Sequence, residues 1–168
     1  MTAKAETVAK TEYVIEPGKQ ELTITRVFDA PRELVFKAFT DPKLVSQWFG
    51  PREYATTVDK MDARPGGLWR FVQRDEKGNE FAFHGVHHDV VAPERIVATF
   101  EFEGVPGHVL LQTVNLEPLG QKTRLVEQLV FQSVADRDGM VASGMQRGSD
   151  DSMDRMDEIL ANMKAQRA

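Results

Sequence analysis

Between Ser133 and Lys164 the sequence carries a helical stripe that dictates what the rest of the chain must do. Val141, Met145, Gly148, Ser152, Met156, Ile159 and Met163 succeed one another at steps of four, three, four, four, three and four residues. At about 100° per residue they occupy a band roughly 80° wide, the mark of one buried helix face. Ser133-Val134-Ala135-Asp136 opens the run with the Ser-x-x-acid spacing of a capping box. Asp150, Asp151, Asp154, Arg155, Asp157 and Glu158 fall off the stripe, on what reads as a solvated face. A single helix over this span would be on the order of 45 Å long, enough to cross a small domain. The other elements are expected to wrap it.

Upstream, the pattern changes twice. Residues 1–10 read as a disordered tail, and residues 11–168 as a single domain. Glu12 to Glu16 has the makings of a short strand, and Pro17-Gly18 turns the chain into Glu21–Phe28, where Leu22, Ile24, Arg26 and Phe28 alternate with Thr23, Thr25 and Val27. Pro31 and then Asp41-Pro42 open two short helices, the first presenting Leu34, Val35, Ala38 and Phe39, the second Leu44, Val45 and Trp48. Gly50-Pro51 ends the second.

From Glu53 the period becomes two. Strands are expected near 53–61, 67–74, 80–90, 95–103, 108–117 and 122–132, separated by turn residues such as Pro65-Gly66-Gly67, Lys77-Gly78-Asn79 and Pro118-Leu119-Gly120. Connections this short join antiparallel neighbours. The expected fold is therefore α+β: a curved antiparallel sheet of about seven strands wrapped around the long C-terminal helix, with two short helices between the first and second strands. A sheet with one apolar face must bury it, and the terminal helix is the available partner.

Composition removes whole classes of function. The chain has no cysteine, so disulfides, thiolate nucleophiles and cysteine zinc sites are out. A formal charge of −5, with basic residues dispersed, speaks against a nucleic-acid groove. No apolar run reaches the length of a membrane span, and the polar N-terminus lacks a signal-peptide core, so a cytoplasmic location is expected. No serine sits in a Gly-x-Ser-x-Gly elbow. No cofactor is implied, and either a monomer or a homodimer fits.

Three strings then carry a resemblance. Phe28-Asp29-Ala30-Pro31, Trp48-Phe49-Gly50-Pro51, and Asp62-Ala63-Arg64-Pro65-Gly66-Gly67-Leu68-Trp69-Arg70-Phe71 resemble the START-like (SRPBCC) superfamily. Within it they are similar to bacterial proteins related to the C-terminal domain of the activator of the heat-shock-protein-90 ATPase. Phe83-His84-Gly85, Pro93-Glu94-Arg95, Gly144-Met145-Gln146-Arg147-Gly148 and Ser152-Met153-Asp154 fit the same pattern, and the resemblance spans about residues 20–165. It implies a helix-grip fold, with a cavity between sheet and long helix. Members include lipid carriers, polyketide cyclases, self-sacrificing resistance proteins and co-chaperone domains, so fold alone does not assign function.

Candidate site residues follow from alternation and from that expected cavity. Trp69, Phe71 and Gln73 share a strand face, as do Phe81, Phe83 and His87 on the next, and Ile96, Ala98, Phe100 and Phe102 on another. These positions suit either a filled core or the lining of a pocket for an apolar or aromatic ligand. The cavity set is Trp48, Trp69, Phe71, Gln73, Phe83, His87, Phe100, Glu127, Leu129, Val141, Met145, Gly148 and Met156. Gly144 and Gly148 make room for a ligand, allow close helix approach, or bend the helix around Gly139 and Gly144.

Glu127 shares its strand face with Leu125, Leu129 and Phe131; burial there would raise its pKa and suit it to acid–base chemistry. His87 is the other catalytic candidate. His84 and His88, four apart on a strand, lie ~13 Å from each other, too far to share an ion. His87 and Asp89 are expected on the opposite face from them, and no metal site is assigned. Three functions remain. The first is a binding protein for a small hydrophobic or aromatic ligand. The second is a cavity enzyme of cyclase or hydrolase type working through Glu127 or His87. The third is a regulator of a chaperone ATPase acting through a protein partner.

Overall fold

The computed structural model describes residues 10–167, so all but the last residue of the expected tail lies outside the described residues. In chain order the elements are β1 (Glu12–Val14), β2 (Glu21–Phe28), α1 (Arg32–Thr40), α2 (Pro42–Trp48), β3 (Ala55–Met61), β4 (Leu68–Arg74), β5 (Glu80–Val91), β6 (Arg95–Phe102), β7 (Val109–Leu119), β8 (Lys122–Val130), α3 (Val134–Ala142) and α4 (Met145–Arg167). All pairings are antiparallel, in the order β1-β2-β8-β7-β6-β5-β4-β3. The expected seven strands are eight: the short N-terminal segment pairs with β2, Tyr13 opposite Ile24, and forms one edge of the sheet. Helices α1 and α2 thus follow the second strand and carry the chain to the opposite edge.

Local chemistry places the helix ends. The Asp41 carboxylate accepts from the Lys43 amide at 2.9 Å, with Pro42 opening α2. The Ser133 hydroxyl accepts from the Asp136 amide at 3.0 Å, the forward half of a capping box. The Asp136 side chain goes instead to His108, 2.9 Å away.

The single helix expected from Ser133 to Lys164 is two. α3 closes at Ser143, whose amide bonds Gly139 and Met140, and Gly144 follows with φ of +87°. That is a left-handed conformation which side chains with a Cβ resist, and glycine just past a helix end is the usual solution. The stripe spans the break because α4 resumes one residue later. At 23 residues α4 is about 35 Å long.

The acidic face of α4 is also more than a solvated surface. Arg26, buried on the concave face of β2, donates to Asp157 and reaches Asp154 at 2.9 Å. Tyr13 donates to Asp150 at 2.8 Å, and Asp151 accepts from the Arg52 amide at 3.2 Å. A buried guanidinium on an apolar strand face requires such acids, because an unpaired charge is costly away from water.

The core is concentrated at one end of the sheet's hollow. Met153, Met156, Ile159 and Leu160 of α4 pack with Phe28, Val35, Val45, Trp48 and Leu125. A smaller cluster of Leu22, Ile24, Leu110, Leu129 and Phe131 lies under α3. Between the two clusters, the interior is open.

Candidate functional site

That open region is a cavity of about 830 Å³. Its floor is the concave face of β4 to β8, and its roof is α3 with the first two turns of α4. The space exists because of which side chains α4 turns downward. Met145 leans on the smaller cluster, and the next residues along the lining, Gly148, Ser149 and Ser152, are too short to fill the space; from Met153 onward the inward side chains are long and apolar, and the hollow closes. Exposed residues including Glu53, Val105 and His108 contribute to the lining, so the cavity meets solvent at its rim.

Aromatic rings dominate one wall. Trp69 and Phe71 have centroids 4.7 Å apart, Trp69 and Phe100 5.6 Å, and Phe83 and Phe100 5.3 Å. Phe49 extends the cluster, edge-on to Phe71 at 5.0 Å. Such tilted and edge-to-face contacts are the preferred geometry of aromatic side chains. The Trp69 indole is fixed by donating to the Thr99 carbonyl at 3.2 Å. Gly85 lies beneath it, and a Cβ there would come within 1.9 Å of the Thr99 carbonyl oxygen.

Among the expected lining positions, Trp48, Trp69, Phe71, Gln73, Phe83, His87, Phe100, Glu127, Leu129, Met145 and Gly148 border the cavity. Two do not. Met156 is fully buried in the main core, beyond the point where α4 closes the hollow. Val141 packs against the smaller cluster, beside Met140 and Met145. Gly148 faces Pro51 at ordinary contact distance, 3.6 Å from a built Cβ.

The polar groups of the floor lie in register. Gln112 pairs with Leu129 on one side and with Ala98 on the other, and Ala98 pairs with His87. Glu127, opposite Val114, is one step along the neighbouring strand. Gln112 donates from Nε2 to Glu127 Oε1 at 2.5 Å. The carboxyl of Glu127 is 6% exposed, and burial pushes its pKa up to about 7, with the Gln112 hydrogen bond opposing the shift. Sequence reasoning missed Gln112, although strict alternation with Leu110, Val114 and Leu116 already puts it on the inward face.

His87 is 6% exposed, and its Nδ1 is buried without a hydrogen-bond partner. Burial lowers its pKa, favouring the uncharged ring. Its backbone is clamped to the β3–β4 turn: the His87 amide donates to the Gly67 carbonyl, and the Gly66 amide to the His87 carbonyl, each at 2.8 Å. A bulge follows, since His87 pairs with Ala98 but Asp89 with Val97. The extra residue breaks the expected alternation: His87 stays inside while Asp89 bonds Arg95 at the surface. His84 lies on the outer face between Glu101 and Glu103, at 3.0 and 2.9 Å. Glu127 and His87 stand on strands three apart, about 14 Å at ordinary strand spacing, so they cannot act on one atom. Among the described residues no three acidic or histidine side chains converge on a metal position.

Comparison with known proteins adds the family. Residues 29–161 match the family described as Activator of Hsp90 ATPase homolog 1-like protein. No curated protein matches the chain. Among solved structures, a protein from Arthrobacter aurescens is 23% identical, with 90% of this chain and 91% of that one aligned at a TM-score of 0.83. One from Rhodobacter sphaeroides is 26% identical, covering 90% and 99%, at a TM-score of 0.80. One from Chromobacterium violaceum is 26% identical, covering 84% and 96%, at 0.75. No helix among the described residues is long and apolar enough to cross a membrane.

Proposed function

The chain belongs to the Activator of Hsp90 ATPase homolog 1-like family, with its START-like fold, and from that premise we propose that it binds a small, largely aromatic ligand between the sheet and the C-terminal helices. The observation that carries this reading is the cavity of about 830 Å³ walled by Trp69, Phe71, Phe83 and Phe100. Its size falls within the range of small-molecule sites, and its mix of apolar walls with a few placed polar groups is their usual composition.

The test is titration with the uncharged fluorescent probe N-phenyl-1-naphthylamine. A saturable enhancement at one probe per chain is expected, weakened at least tenfold by Ala98→Phe, which places a ring on the cavity floor. Stability should change by less than about 1 kcal/mol, since the ring fills space instead of overpacking it. Absence of saturable binding, or a variant that loses stability without losing the probe, would overturn the reading.

A second reading is favoured by one observation, the Glu127 carboxyl buried on the cavity floor with the Gln112 amide beside it, a burial that pushes its pKa up to about 7. A group that exchanges its proton near neutrality is suited to general acid or base work on a bound ligand. His87 is too distant to serve as its partner, so such chemistry would run through Glu127 alone. Turnover of a bound compound that disappears in Glu127→Gln would establish it; unchanged ligand recovered from wild-type protein would not.

A further inference from the structure

Every charged side chain in the cavity lining has an opposite charge beside it except one. Arg147 donates to Glu53 at 2.5 Å, and His108 Nδ1 lies 2.9 Å from Asp136. Glu127 has no lysine, arginine or histidine nitrogen within ion-pairing distance among the described residues; its only polar partner is the Gln112 amide. The groups facing it from the neighbouring elements do not change this. From β2 the residue opposite is Ile24, while Arg26, the next inward residue of that strand, gives its guanidinium to Asp154 and Asp157 of α4; from β7 the residue opposite is Val114. From β1 the Tyr13 hydroxyl turns away to Asp150 of α4, adding a second carboxylate and no cation. His87, the remaining titratable group of the floor, is three strands away, and burial disfavours its charged form.

The hydrogen-bonding character of the floor points the same way. With Nε2 of Gln112 committed to Glu127, the amide presents its carbonyl oxygen, an acceptor, and the second carboxylate oxygen is another. Acceptors backed by an unpaired carboxylate, in a cavity with largely apolar walls, form the constellation that stabilises an organic cation: the carboxylate supplies the charge, and the scarcity of competing water strengthens its hold. A carboxylate ligand would meet repulsion there. A neutral alcohol would be held by hydrogen bonds alone.

Resting on the reading of the cavity as a binding site, we infer that its ligand is an aromatic amine, bound as the ammonium with its nitrogen on Glu127 and Gln112. The aromatic body lies toward Trp69 and Phe100. His87 Nδ1, two strands from Gln112 across the small side chain of Ala98, is left to receive a hydrogen bond from a polar group at the far end of the molecule.

Three probes of one shape test this: 2-(1-naphthyl)ethylamine, 2-(1-naphthyl)ethanol and 1-naphthaleneacetate, measured by calorimetry and thermal shift at pH 8. The amine is expected to bind at least tenfold more tightly than the alcohol, with the acetate weakest. In wild-type protein the amine-to-alcohol ratio should fall as pH is lowered from 8 to 6, because the carboxylate takes up a proton. In Glu127→Gln the ratio should fall to within about twofold of unity. Acetate binding as tightly as the amine, or an amine preference that survives both low pH and Glu127→Gln, would overturn the inference. If N-phenyl-1-naphthylamine binds while the three probes fail to bind or are not distinguished, the amine assignment falls and the cavity reading stands. If no probe of any kind binds, both fall.

Discussion

Arg26 on β2 and Asp154 on α4 lie 2.9 Å apart across the sheet–helix interface, the guanidinium almost wholly buried and the carboxylate about half in water. Asp157, one turn on, is held by the same guanidinium, which also lies over the Phe28 ring and donates to the Thr11 hydroxyl at 3.0 Å. One buried cation thus joins the edge of the sheet to the middle of α4.

Arg26→Met is expected to destabilise the protein by about 1–3 kcal/mol, less than for a fully buried pair because the acids retain water on one side. Adding Asp157→Leu should recover part of that loss, since apolar replacement of both partners removes the stranded charge. Urea unfolding of the single and double variants checks both outcomes.

The ligand-free protein should lose stability as pH rises from about 5 to 8 through the contribution of Glu127. Its folded pKa of about 7 is above the ordinary glutamate value near 4.3, so the folded state binds the proton more tightly. The stabilisation is complete below the unfolded value and is lost as pH passes the folded one. Glu103, held down to about 2 by Arg70 and His84, acts oppositely but only in strong acid. The difference between wild type and Glu127→Gln in urea melts across pH 5 to 8 isolates the effect; a pH-independent difference would contradict it.

Gly144→Ala should cost about 1–2 kcal/mol, the penalty for a left-handed backbone at a residue with a Cβ. No atom approaches a built Cβ there, so the loss would be conformational and not steric. Gly144→Asn should cost less, because asparagine tolerates that region. Thermal melts of the two variants compare them directly.

Met156→Ala and Met145→Ala should separate core from cavity. The first opens a void in packed surroundings and should cost about 2–5 kcal/mol. The second removes a half-buried side chain from the cavity lining and should cost less than about 1 kcal/mol while altering probe affinity. Paired unfolding and binding measurements would reveal any exchange of these roles.

Much of this architecture was legible in the residues. Period-two alternation between turn signals places each of the six strands after α2 within two residues of its observed bounds, and Trp69, Phe71 and Gln73 point inward as it requires. What escaped were features that leave the local pattern intact. Gly144 interrupts no periodicity, since a mid-helix glycine costs only about 1 kcal/mol and the stripe runs on past it. Arg26 stands visibly on an apolar strand face, but its partners are more than a hundred residues away on the side of α4 that looks solvated. The bulge after His87 has no glycine to announce it. The division of α4 into a hollow half and a packed half depends on side-chain length as much as on polarity, and periodicity does not measure length.

The pairing of β2 with β8 sets a constraint in time as well as space. Leu22 meets Leu129 and Phe28 meets Thr123, so the first long strand waits roughly a hundred residues for its neighbour. Until β8 has been synthesised, β2 carries an open edge, and Arg26 has no acid until α4 follows. Contacts of such long sequence separation slow folding, and during synthesis they postpone closure until α4 has followed β8. The cavity roof, built last by α3 and α4, closes over a floor that is already laid, so a ligand present during synthesis meets the half-open sheet before it meets the finished protein.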